Sequence, residues 1–240
     1  HLTSLPESIG QLTKLKDLNL SYNRLTSIPE SIGQLGSLKK LNLSNNRLAS
    51  LPESFGHLAS LKTLSLSSNK IASFSESIIR LKLLADLNIS NQLDSLPESI
   101  GQLSTLTYLD ISNNRLASLP ESIQKLNALN ILKAGENSLV SIPKSIGKLE
   151  SLVVLDISSN EVKELPKSIG QLEALRYLDI SNNQLDSLPD SFKGLLRLKQ
   201  LNLRNNELKS LSETVKKIII FLRYLECDIG GYFDWLYDDL

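Results

Sequence analysis

The sequence has one cysteine, Cys227, and two histidines in 240 residues. A single thiol excludes an intrachain disulfide framework and points to a reducing setting, so a cytoplasmic location is expected, with a secreted effector or a surface protein as the alternative. Net charge is missing as well: 26 basic residues balance 26 acidic ones. The two halves barely differ, with 11 against 9 in residues 1–120 and 15 against 17 in residues 121–240, so the chain has no net drive toward nucleic acid or an anionic membrane. No apolar run approaches the roughly 20 residues that cross a bilayer, so no membrane insertion is expected. A signal peptide is also lacking, although the chain opens in mid-pattern at His1-Leu2, as a chain cut from a longer one would.

Motifs that carry chemistry are equally scarce. CxxC, HExxH, GxxxxGK(S/T) and GxGxxG do not occur. His1 is terminal and His57 stands in for a repeated glutamine, so neither forms a nucleophile pattern with Cys227. Glu7, Glu30 and Glu53 recur once per repeat, as a solvated face does and an acid/base pair does not. No catalytic residue, cofactor site or metal site is expected, and the chain reads as non-enzymatic.

What the chain has in abundance is leucine at fixed intervals. The element LxxLxLxxNxL, or a close variant, begins at Leu15, Leu38, Leu61, Leu84, Leu106, Leu129, Leu152, Leu175 and Leu198. The steps are 23 residues, with a single 22 between Leu84 and Leu106. Between elements runs LPESIGQL or a near relative, unchanged at Leu5–Leu12 and Leu96–Leu103, and all eight prolines fall at the same point of the unit. Leu18 and Leu20 alternate with polar Asp17, Asn19 and Ser21, the period-2 pattern of a short half-buried strand. Leu25, Ile28, Ile32 and Leu35 are expected to face inward from a turn and a short helical segment. Proline fixes φ and cannot continue a ladder, so it opens the return path. Glu-Ser behind it suits a first helical turn whose amides lack partners. One unit cannot bury its apolar edge alone, whereas stacked neighbours make a continuous core. Asn23, Asn46, Asn69, Asn114, Asn137, Asn160, Asn183 and Asn206 recur where the strand turns back. Each amide offers two donors and an acceptor and is expected to satisfy the buried backbone of adjoining coils.

On these residues the chain resembles the leucine-rich repeat family, over residues 2 to about 212. The form with LPESIGQL is similar to the plant intracellular Ras-group proteins, the Ras-pathway scaffold class and many bacterial members. The resemblance implies an α/β solenoid: a curved right-handed coil with parallel strands on the concave face and short helices or 3₁₀ turns on the convex one. Residues 1–212 are expected to form that solenoid of about nine repeats, the first truncated at its N-terminus, and residues 213–240 a C-terminal capping segment. A non-catalytic module whose concave face binds a partner protein is also implied, and a monomer is expected. The alternatives are a recognition domain of a larger enzyme, of the Roco-type GTPase or ubiquitin-ligase effector kind, and a structural protein that self-associates through its C-terminal segment.

If leucines build the frame, the variable strand positions carry specificity. Before the second leucine stand Tyr108, Ile131, Val154 and Tyr177 in four consecutive repeats; after it stand Asp110, Lys133, Asp156 and Asp179. The first set makes an apolar stripe and the second a charged row beside it, which is what a protein interface needs. Strand propensity alone would account for valine and isoleucine. These eight residues are the candidate protein-binding site, with a basic rim expected on the partner. One position after each ladder asparagine, Arg24, Arg47, Lys70, Gln92, Arg115, Ser138, Glu161, Gln184 and Glu207 run from basic to acidic. Such an edge steers a partner only weakly where the Debye length is about 8 Å. Asn19, Asn42 and Asn88 begin N-glycosylation triplets, but the repeat spells these by itself.

Two regions leave the pattern. After Leu211, Ser212 is expected to cap a helix running to about Phe221, and Gly230-Gly231 to permit a turn. Phe221, Tyr224, Tyr232, Phe233, Trp235 and Tyr237, with Asp228, Asp234, Asp238 and Asp239, supply a lid with a polar exterior. The short repeat loses one residue between Ile89 and Leu93: either Asn91 keeps the ladder, or Gln92 replaces its asparagine. It also has Ser75 for proline, Ile79 for glycine and Leu83 at an outer position. A kink with a convex apolar patch of Ile79 and Leu83 is one reading; accumulated drift is simpler and is preferred.

Overall fold

The structure is a computed structural model that describes residues 1–209, 211–224 and 228–230. The alternating triplets form β1 (Asp17–Asn19), β2 (Lys40–Asn42), β3 (Thr63–Ser65), β4 (Asp86–Asn88) and β5 (Tyr108–Asp110). They continue as β6 (Ile131–Lys133), β7 (Val154–Asp156), β8 (Tyr177–Asp179) and β9 (Gln200–Asn202). All pair in parallel and in chain order, so Leu18, Leu41 and Leu64 stand in line. A tenth strand, β10 (Asp228–Gly230), pairs with β9 and comes from the segment where the leucine pattern has ended. Coil n below is the repeat that contains βn.

A five-residue 3₁₀ helix precedes each of β1 to β9, from Glu7–Gln11 in the first coil to Asp190–Gly194 in the ninth. Proline stands just before these helices with φ between −64° and −75°. Ser75 takes the same extended backbone at φ −84°. Leucines and isoleucines fill the space between helices and strands in one continuous core, with Phe55 and Phe192 in the isoleucine place. The convex helices stack closely: a Cβ on Gly33 would come within 2.5 Å of the Ser54 carbonyl oxygen, which is why glycine recurs there. Ile79 at the same position is buried at 5 % exposure, because the coil 4 helix packs less closely on its successor. The expected convex patch therefore reduces to Leu83, 51 % exposed. The repeated glutamates are more than solvated. Glu7, Glu30, Glu98 and Glu121 accept N–H groups of Ser31, Ser54, Ser122 and Ser145 in the next coil at 3.3, 3.1, 2.9 and 3.3 Å, serving amides that the short helix leaves open.

The asparagine ladder runs between strands and helices. Asn46 Oδ1 accepts Leu25 N–H at 3.0 Å, while Nδ2 donates to Leu20 O of coil 1 at 2.9 Å and to Leu43 O of its own coil at 3.0 Å. The pattern repeats at Asn114, Asn137, Asn160, Asn183 and Asn206. Just before these asparagines sits a left-handed residue, φ 53° to 56°, at Tyr22, Asn45, Ser68, Asn113, Glu136, Ser159, Asn182 and Asn205. Coil 4 has none. Asn91 still donates to Leu66 O at 2.9 Å, the counterpart of the bond from Asn69 to Leu43 O. Asn91 thus keeps the ladder, and the missing residue is the left-handed one. Its Oδ1 accepts Asn69 N–H at 2.7 Å rather than the amide of Ile71, the counterpart of Leu48.

At the other end, α1 (Glu213–Tyr224) runs three residues past the expected helix end. Ser212 Oγ accepts Val215 N–H at 3.3 Å and also bonds Asp190. Val215 and Ile219 join the core. Cys227, Gly231, Tyr232, Phe233, Asp234, Trp235, Tyr237, Asp238 and Asp239 lie outside the described residues, as do the side chains of Phe221, Tyr224 and Asp228.

Asn114 serves coil 4 and coil 5 at once, so Asn114→Ala should cost about 2–4 kcal/mol in urea unfolding, since each stranded buried group costs about 1–3 kcal/mol. Asn91→Ala, with fewer bonds to lose, should cost less. Inserting one asparagine between Ser90 and Asn91 restores the left-handed residue, and the unfolding midpoint should hold or rise; a large fall would contradict the assignment of the missing residue.

Candidate protein-binding face

Parallel register puts Tyr108, Ile131, Val154 and Tyr177 side by side, one per coil, on the outward side of the sheet. The first three are half-buried and Tyr177 is 38 % exposed. A depression of about 300 Å³ opens beside them, lined among others by Lys133, Val154, Asp156, Tyr177, Asp179 and Arg204.

The row after the inward leucine has a structural duty that its polarity alone does not reveal. Asn19, Asn42, Asn88, Asp110, Asp156 and Asp179 each accept, through Oδ1, the N–H of the residue two further on, at 2.9–3.1 Å. At Asn19, Asn42, Asp156 and Asp179 the serine hydroxyl donates as well, at 2.6–2.7 Å. The turn itself uses only an acceptor oxygen, so asparagine and aspartate are interchangeable for it. The Asn-x-Ser triplets are this turn spelled out.

The eight candidate residues therefore divide. Asp110 is 9 % exposed and fully engaged. Its Oδ1 accepts Ser112 N–H at 3.0 Å and Ser90 Oγ–H at 3.3 Å, and its Oδ2 accepts the Tyr108 hydroxyl at 3.1 Å and Asn88 Nδ2–H at 3.3 Å. It serves its neighbours rather than open solvent. Burial, and then the charge of Asp110, push the Tyr108 phenol up to about 12. Asp179 Oδ2 accepts Asn202 Nδ2–H at 3.0 Å. Lys133 cannot accept a turn bond, and Gly135 stands where the turn serine would be. It lies in register between Asp110 and Asp156. Outward-facing and half-open are Ile131, Lys133, Val154, Asp156 and Asp179, with Tyr177 the most exposed. The row just before the strands, Lys16, Lys39 and Lys62, was not legible in the sequence because strand register is what aligns it.

Among the described residues, no group of three His, Cys, Asp or Glu side chains is placed to hold a metal ion. No described helix is long and apolar enough to cross a membrane.

The family model described as "Leucine-rich repeat region" matches residues 1–90, 76–157 and 136–229. Comparison with curated proteins returned no match. Among solved structures, a leucine-rich repeat protein of Leptospira interrogans is 32 % identical, with a TM-score of 0.55, over 96 % of this chain and 76 % of that one. An internalin of Listeria monocytogenes shares the fold at a TM-score of 0.78 and 24 % identity, over 96 % of this chain and 64 % of that one. The plant peptide hormone receptor RGFR1, in complex with RGF2, aligns at a TM-score of 0.71 and 26 % identity, over 95 % of this chain and 46 % of that one.

Because Tyr108 is held protonated by its surroundings, a spectrophotometric titration of wild type minus Tyr108→Phe should contain one phenol ionising near pH 12. The raised value means that the stabilisation it gives is complete below pH 10.0 and is lost as pH rises toward 12. A difference curve centred near pH 10 would contradict the Tyr108–Asp110 contact.

Proposed function

The chain belongs to the leucine-rich repeat family, and from that premise we propose that it is a non-catalytic module whose concave face, centred on coils 5 to 8, binds a partner protein. The supporting observation is the stripe Tyr108–Ile131–Val154–Tyr177. Elsewhere the same strand position carries Asp17, Lys40, Thr63, Asp86 and Gln200, so the frame does not require apolar residues there. An apolar row left on the open side of a sheet, with charge beside it, gains free energy when a partner covers it. Buried tyrosines dominate such contacts, and truncating one commonly costs 2 kcal/mol or more of binding. The relative seen in complex with RGF2 is a peptide hormone receptor, which agrees with a polypeptide ligand for this fold.

The test is the double variant Tyr108→Ala/Tyr177→Ala used as bait beside wild type in affinity capture from the native host. Capture of the wild-type partner should fall by at least about a hundredfold, given about 1.4 kcal/mol per factor of ten. Circular dichroism should report an intact fold. Undiminished capture by a folded double variant overturns the proposal.

A further inference from the structure

Coils 1 to 3 carry a surface of different chemistry. Residues 1–75 hold eight basic and four acidic side chains, an excess hidden by the balance of the whole chain. The fold then sorts the charges. Glu7, Glu30 and Glu53 lie on the convex helices, and Glu7 and Glu30 are committed to the amides of the next coil. Asp17 is the one acid of these coils left on the sheet.

The cations gather on the two rims of the sheet. Lys16, Lys39 and Lys62 stand just before β1, β2 and β3 and are stacked by the backbone: Lys39 N–H donates to Lys16 O at 2.7 Å and Lys62 N–H to Lys39 O at 2.8 Å. Ala85 continues the ladder at 2.8 Å and ends the basic run. On the opposite rim, Arg24, Arg47 and Lys70 are aligned by N–H bonds to Leu2, Leu25 and Leu48 carbonyls at 2.8, 2.9 and 2.8 Å. Lys40 stands between the rims on β2, and all seven cations are exposed. None of them enters an ion pair among the described residues, where Lys216–Glu213 is the pair formed. Strands about 4.8 Å apart hold neighbouring cations of a rim close together. Like charges at that range repel by up to about 1 kcal/mol in water, a cost that a bound anion turns into a gain.

We propose that this basic trough binds an extended acidic segment of the same partner whose apolar side chains meet the Tyr108–Tyr177 stripe; the inference rests on the concave-face reading. The trough leads along one sheet into that stripe, so a single polypeptide laid across the strands reaches both. Its rims span only three coils, roughly 10 Å, which matches two carboxylates on one side of an extended chain with a repeat of about 6.6 Å. A nucleic acid strand needs a longer basic track of about 4 or more nucleotides.

Fluorescence anisotropy of the full chain with labelled oligoglutamate tests this, with oligothymidylate of equal charge in a parallel arm. Oligoglutamate should bind, more weakly as salt rises, and Lys16→Glu/Lys39→Glu/Lys62→Glu should weaken it by about tenfold or more. The neutral Lys→Gln triple should fall between, which guards against a folding defect in the reversed variant. Lys199→Glu and Tyr108→Ala/Tyr177→Ala should leave oligoglutamate binding unchanged. Failure of the trough thus reads separately from failure of the stripe. Absent binding, indifference to the lysine changes, or tighter binding of oligothymidylate overturns the proposal.

Discussion

Every coil turns back over its own strand and buries amide and carbonyl groups that water cannot reach, and an asparagine side chain answers them. Asn46, Asn114 and Asn160 each close bonds in their own coil and in the one before. The leucines supply most of the burial energy, about 1.5–3 kcal/mol per side chain, but that energy is non-directional and tolerates sliding. The amide bonds do not, because a slipped coil strands polar groups at about 1–3 kcal/mol each. Register of the sheet, and with it the line-up of every side chain on the concave face, follows from the asparagines.

The concave face inherits a division of labour from that register. Where the residue after the inward leucine is asparagine or aspartate, it closes its own turn, and at Asp110 nothing is left over for a visitor. Coil 6 abandons the arrangement with Lys133, Ala134 and Gly135 in succession, giving up acceptor, core bulk and hydroxyl together. Lys133 then separates Asp110 from Asp156 and breaks what would be a row of like charges on adjacent strands. Polarity along the face is therefore set partly by the frame itself and partly by what the frame leaves open.

Much of this was legible in the sequence. Nine strands, the helices behind the prolines and the duty of the ladder asparagines follow from period and chemistry, because each coil repeats one local solution. The strands' outward rows were legible wherever the repeat is regular. What escaped depends on distances between coils. Glu7 and Glu98 look solvated until the next coil brings its amides within 3.3 and 2.9 Å. Ile79 looks exposed because a glycine position is normally crowded, and only the looser fit between coils 4 and 5 lets it turn inward. Gln92 and Asn91 were equal claimants for the ladder until the bond from Asn91 to Leu66 O decided between them. β10 was invisible, since nothing in Asp228–Gly230 repeats.

Two families of asparagine now sit in one molecule, and they would age differently. Slow hydrolysis of the side-chain amide turns asparagine into aspartate. At Asn19 or Asn42 the turn needs only Oδ1, so the frame would keep its shape while the concave face gained a negative charge. At Asn46 or Asn160 the same event would erase the Nδ2 donors and leave a carboxylate enclosed among carbonyl oxygens. One substitution changes what the surface attracts; the other opens the coil from within.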